Sequence, residues 1–209
     1  MRSSTSTTTA GLMEMRLSDE VSRMESGLER RQRTLDEVND LSRRTIRECA
    51  RSITALHNSS AQEAESHLKE ARAFAAKLGK LDSEFRYISV QAYQELAEAE
   101  ILREIKASGR IPSPAELGLP EDAYLLGLMD VVGELKRSML LSLMKGDVRE
   151  AGGYFSFMQE IYDSTRGIRF PESVLPMFRK KQDTARIQLE NAGSDLLKFS
   201  KARTAATIK

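Results

Sequence analysis

Residues 16–57 read RLSDEVSRMESGLERRQRTLDEVNDLSRRTIRECARSITALH, a stretch with no proline in it. Its apolar residues are Val21, Met24, Leu28, Leu35, Val38, Ile46, Cys49, Ile53 and Leu56, mostly three, four or seven apart. That spacing lays one apolar stripe along one face of a very long helix. Asn58-Ser59-Ser60 breaks the pattern, and Ser60 with Glu63 predicts a capping box that opens a second helix to about Leu78. Gly79 is a natural terminator, and Asp82 or Ser83 is expected to cap a third helix reaching Ala107. A loop with Pro112 and Pro114 follows, with one short turn at Ala115–Leu117. Pro120 suits the first position of a fourth long helix, which ends at Gly146. A fifth covers 148–164, and a last one runs from Glu172 to Ala202 with a bend expected at Pro176. Strand-like alternation is absent. Six or seven helices with short connections predict an all-α fold, a single antiparallel helical domain over residues 16–203. A Ser/Thr-rich tail, 1–15, is expected to be disordered before it, and a polar tail, 204–209, follows it.

Composition agrees with this outline and narrows the function. There are 5 Pro and 12 Gly among 209 residues and no Trp, a balance that favours long helices over a sheet with many turns. The net charge of +1 means that attraction to phosphate must come from local patches. One cysteine, Cys49, excludes an intramolecular disulfide framework; it fits a reducing cytoplasm and reads as a core residue. With 2 histidines and that cysteine, a structural zinc site is excluded. No apolar run approaches the roughly 18 residues of a membrane span. His57 and His67 stand apart from other ligand residues and read as ordinary surface or core polar groups.

The chemistry concentrates in YLLGLMDVVGELKRSMLL, residues 124–141. From Tyr124 to Leu135 only Asp130 and Glu134 are charged, and the helix around them is apolar on nearly every side. A helix that is apolar all round is buried all round. Asp130, Glu134 and Arg137 fall on one face, flanked by Gly127 and Gly133, which leave room for a neighbouring backbone or a ligand. Two like charges one turn apart in such surroundings need compensation, and a cation is the simplest candidate. Arg137 paired with Glu134 is the plainer alternative. The third helix carries a second same-face pair, Glu95 and Glu98. If the two helices pack together, four carboxylates converge as hard oxygen ligands suited to Mg²⁺ or Mn²⁺. Against this stands the frequency of acidic pairs at such spacings on solvated helices.

Opposite the apolar stripe of the first helix lies a row of Arg30, Arg33, Arg44, Arg47 and Arg51. The arginine fork matches phosphate oxygens, so the row is a candidate nucleic-acid grip, with Arg137 added from the acidic face. Glu37 and Asp40 interrupt it, and a mixed-charge exposed face is the commoner cause of such a pattern.

The stretch from Tyr124 to Arg137 resembles the Tyr-Leu-Leu-Gly…Asp-x-x-Gly-Glu-Leu-x-Arg segment of the Trax branch of the translin family. Tyr93-Gln-Glu-Leu-Ala-Glu-Ala is similar to that branch's Gln-Glu-Tyr-Val-Glu-Ala. Further likeness lies at Arg44 to His57, Lys145-Gly-Asp147 and Gln159-Glu-Ile-Tyr-Asp163, so that it spans about residues 25–200. The resemblance implies a seven-helix translin-like fold, an octameric homo-oligomer closed as a shell, and RNA held inside, with single-stranded DNA as a second ligand. It implies Mg²⁺-dependent endoribonuclease activity, with Glu95, Glu98, Asp130 and Glu134 as the catalytic and metal-holding set. The translin branch, which binds RNA and DNA but lacks the full acidic set, implies a non-catalytic alternative. The short loop from Ser108 to Pro120 and the lack of a basic nuclear-localisation tract depart from the eukaryotic Trax pattern and are more like a prokaryotic or archaeal homologue.

Overall fold

The computed structural model describes the backbone of residues 17–207 and side chains up to Lys201, so the expected N-terminal tail lies outside the described residues. Seven α-helices and one 3-10 turn make up the described chain, with no strand among them. They are α1 (Leu17–His57), α2 (Ala61–Leu78), α3 (Arg86–Ser108), α4 (Pro114–Leu117), α5 (Glu121–Met144), α6 (Val148–Thr165) and α7 (Phe178–Thr207), with the 3-10 turn at Asp82–Glu84. The all-α expectation holds. None of the helices is long and apolar enough to cross a membrane.

The chain divides into two units, one ending at Glu37 and one beginning at Val38. In the first, residues 17–37 form the opening half of α1, and Leu17, Val21, Met24 and Leu28 are all exposed there, Leu17 by 73%. The second unit carries the core. Its α5 packs against α3, α6 and α7, and α2 packs against α3. This central place follows from the sequence: Ala123, Leu126, Met129, Val131, Val132, Leu135 and Met139 bury themselves around most of the α5 circumference. Cys49 is buried with them, as the sequence predicts, and burial pushes its thiol up.

Gly127 sets the spacing of α3 and α5. A Cβ there would lie 2.5 Å from the Gln94 carbonyl oxygen, 2.8 Å from the Ala97 Cβ and 3.0 Å from the Glu98 nitrogen. No larger side chain fits without moving the α3 backbone. Gly133, one and a half turns on, faces the Gln188 amide of α7 at 3.1 Å by the same measure.

Several helix ends differ from the sequence expectation. Ser60 makes no side-chain cap, because its ψ of 73° falls short of the extended conformation that turns an N-cap hydroxyl back onto the helix. A complete capping box forms instead at Ser113 and Glu116, ahead of α4. Asp82 does not cap α3; its carboxylate is buried and accepts from the Ser89 and Tyr93 hydroxyls. Pro120 is the residue before α5 and not its first. α5 stops at Met144, and Gly146 takes a left-handed φ of 79° in the turn that follows. The last helix does not begin at Glu172 and bend at Pro176. Residues 172–177 are turns, and α7 starts only at Phe178. Pro176 has no N–H and disfavours the helical region for Leu175, while Met177 sits at φ 64° with its N–H on the Glu172 carboxylate at 2.8 Å. At its far end α7 continues to Thr207, beyond the expected stop at Ala202.

Candidate active site

The close approach at Gly127 brings the middle of α3 beside the second turn of α5, and with it the two acidic pairs that the sequence singles out. Glu98 is 8% exposed, and neither it nor Glu95 makes a hydrogen bond or ion pair among the described residues. Burial and then the charges of Glu95, Asp130 and Glu134 push the Glu98 carboxyl up to about 9. Glu95 is raised too, first by burial and then by Asp130. All four acids therefore share one electrostatic neighbourhood.

The α5 pair has partners. Asp130 accepts from the Gln94 amide at 2.7 Å and from the Lys181 ammonium at 2.5 and 2.7 Å, one contact to each carboxylate oxygen. Glu134 lies 2.5 Å from Nε2 of His57, whose ring is 1% exposed and whose Nδ1 is buried without a partner. Arg137 is 3.9 Å from Glu134, so the plainer pairing is present but long. A cavity of about 250 Å³ opens beside Asp130, lined by residues of α5 and α7 and by Met177.

Two of these partners correct the sequence reading. His57 is not an isolated polar group: it closes α1 and reaches a site acid seventy-seven positions away. His67 is also paired, its Nδ1 2.7 Å from Glu48. The sequence reading missed Lys181 because it sits in Arg179-Lys-Lys on a mixed-charge helix, where nothing distinguishes it from solvated neighbours. A signal for His57 existed: Ala55, Leu56 and His57 continue a buried stretch, and a buried imidazole needs a partner.

The donor set fits a hard divalent cation. It offers carboxylate oxygens, two of them on acids with no partner, and an ammonium already stands on a third acid as an internal counter-cation. Among the described residues no three His, Cys, Asp or Glu side chains stand close enough together to hold a metal ion as they are placed. Lys181 and His57 engage Asp130 and Glu134 in the present side-chain positions.

The arginine row is divided. Arg30 and Arg33 belong to the first unit, where Arg33 lies 3.8 Å from Glu29. Arg44 pairs with Asp40 at 3.6 Å and covers the Phe74 ring at 4.1 Å, and Arg51 pairs with Glu48 at 2.8 Å. Arg47 has no acidic partner among the described residues; with Arg51, Asn58, Glu63 and His67 it lines a cavity of about 450 Å³ between α1 and α2.

Comparison with known proteins gives a consistent result. The family model described as the Translin family matches residues 26–192. An uncharacterized protein of Methanocaldococcus jannaschii is 33% identical over 187 residues, covering 87% of this chain and 83% of its own. Among solved structures, AfC3PO in complex with duplex RNA superposes with a TM-score of 0.80 at 27% identity, over 88% of this chain and 98% of that one. The crystal structure of AfC3PO gives 0.78 at 30% identity, over 91% and 100%. The fold is also that of apo-NeC3PO, with a TM-score of 0.73 at 22% identity, over 84% and 96%. The match across most of the sequence, with a helical order shared along nearly the whole of each neighbour, places this chain in the translin family.

Proposed function

We propose that this protein is a homo-oligomeric RNA-binding protein that hydrolyses phosphodiester bonds at the α3–α5 acids with a divalent cation, Mg²⁺ or Mn²⁺. The observation that carries this reading is Glu98, a buried carboxyl with no partner among the described residues, beside three other acids. A structural role would have supplied it with a counter-charge. Its similarity to AfC3PO, a protein seen with duplex RNA, supports RNA as the ligand; single-stranded DNA is proposed as a second ligand on the family resemblance alone.

Glu95, Glu98, Asp130 and Glu134 would hold the cation. When bound, it supplies acidity to a water and offsets charge on the phosphodiester. The chain's own groups do the positioning. Gln94 donates to Asp130 and fixes one oxygen, while His57 holds Glu134 from a ring that solvent scarcely reaches. Val131, Val132 and Leu135 exclude water from the back of the site. Exposed arginines of α1, Arg47 among them, contribute phosphate contacts that do not read base sequence. The exposed stripe Leu17, Val21, Met24 and Leu28 supports assembly of like chains, with an octamer as the expected size. Light scattering should give a mass well above 23.4 kDa, and a monomer at micromolar concentration would end the oligomer reading.

The deciding experiment is cleavage of labelled RNA with Mg²⁺, Mn²⁺ or EDTA by the wild type and Asp130→Asn. The wild type should cut with either metal and not with EDTA, and the variant should bind RNA but not cut it. A non-catalytic RNA- and DNA-binding oligomer is the second reading, favoured by the Lys181 ammonium already neutralising Asp130. It becomes the answer if the wild type binds RNA and never cuts it.

A further inference from the structure

Three features of the Lys181 contact set it apart from an ordinary helix-to-helix ion pair. Its ammonium touches both oxygens of Asp130, at 2.5 and 2.7 Å, so neither oxygen is left without a cationic contact. It neutralises one acid and leaves the others: Glu95 and Glu98 feel its field but make no contact with it. It also has somewhere to go. The cavity of about 250 Å³ beside Asp130 is lined by Lys180, Lys181, Thr184 and Gln188 along one side of α7, and the Lys181 side chain is 23% exposed.

We propose that Lys181 is an exchangeable internal cation: it holds Asp130 until a divalent ion replaces it, and it thereby selects divalent over monovalent cations at this site. The inference rests on the metal-site reading above. An ammonium tethered beside Asp130 need not be drawn from solution, and a free monovalent ion gains no carboxylate that the ammonium lacks, so it displaces the ammonium only weakly. A divalent ion displaces it, because it also engages the acids that the ammonium leaves bare. Lysine suits this duty better than arginine. Its charge is a single point on a flexible stem, whereas a guanidinium would lock both oxygens of Asp130 in a fork. The surrounding geometry keeps Asp130 in place during the exchange, since Gln94 donates to the same oxygen that lies 2.7 Å from the ammonium.

The test is Mn²⁺ binding to the purified full-length protein, read by the loss of the free-ion electron paramagnetic resonance signal, in high and low KCl. Lys181→Met should bind Mn²⁺ at least tenfold more tightly than wild type, and Lys181→Gln should move in the same direction. Lys181→Arg should bind more weakly than wild type. In the Met variant, raising KCl should weaken Mn²⁺ binding more than it does in the wild type, because the tethered competitor has gone. Equal Mn²⁺ affinity in wild type, Met and Gln variants would overturn the exchange while leaving the metal site standing. If none of these proteins binds Mn²⁺, the metal-site reading itself fails, and the exchange falls with it.

Discussion

Glu98 and Glu100 stand two residues apart on α3, buried to 8% and 4% exposure, and meet opposite fates. Glu100 faces α2, where Arg72 holds both its oxygens (Nη2 at 2.9 Å, with Nε on the other) and Arg103 adds a contact at 3.4 Å. Arg72 also reaches Glu65 at 2.6 Å, and Arg103 reaches Glu104 at 2.9 Å, so the α2–α3 side is an ion-pair network. Glu98, on the α5 side, has no ion pair among the described residues, and the charges it feels are those of Glu95, Asp130 and Glu134, offset by Lys181 alone. Burial is the same on the two faces; the counter-charge is not. A buried carboxylate with its fork of arginine is a fastener, whereas one left among its own kind retains binding capacity for something that arrives later.

The largest effect should come from breaking the fastener. Arg72→Met leaves Glu100 buried without its main partner and should cost about 3 kcal/mol, at the lower end for such a break because Arg103 remains. Urea unfolding at neutral pH measures it, and a loss below 1 kcal/mol would mean that the network is ornamental. The seam between the two faces comes next. Gly127→Ala drives a methyl group into the Gln94 carbonyl and should destabilise by roughly 2 kcal/mol, because backbone and not a flexible side chain must yield. A neutral result would show that α3 and α5 have slack that their contact does not suggest.

Much of this contrast was legible in the residues themselves. The uncharged run around Asp130 and Glu134 announced a buried helix, and Gly127 announced the close neighbour that α3 turned out to be. The α3 acids were legible only as a pair. Nothing in their spacing says that Glu98 goes bare while Glu100, two residues on, finds Arg72 twenty-eight positions back. His57 and Lys181 were hidden for the same reason: their partners lie far along the chain, and helical periodicity carries no information about contacts of that range. The start of α7 is not legible on local grounds, because Glu172 to Met177 has the composition of a first helical turn and Pro176 suits a bend within it. The left-handed Met177 made it a boundary.

The pH dependence of stability should be the most informative about the bare acid. The Glu98 carboxyl is raised from its ordinary 4.5 to about 9. Below 4.5 it is protonated in folded and unfolded chains alike and contributes no penalty. As pH rises toward about 9, the unfolded chain loses the proton first, so folding stability falls through that window and levels off above it. Glu98→Gln removes this term. The variant should match wild type near pH 4 and become progressively more stable than it as pH rises toward 8 in metal-free buffer. Thermal unfolding across the pH range would show it; parallel curves for the two proteins would contradict the assigned environment.

The central claim, that the bare face of α3 is the working face, is tested most directly by RNA cleavage at saturating Mg²⁺ with Glu98→Gln beside Arg72→Met, each rate taken per folded molecule. Glu98→Gln should stay folded and bind RNA yet lose cleavage by at least a hundredfold, because a carboxylate of the cation's cage has gone. Arg72→Met should lose stability and keep its rate. Wild-type cleavage by Glu98→Gln, or loss of cleavage confined to Arg72→Met, would contradict the account.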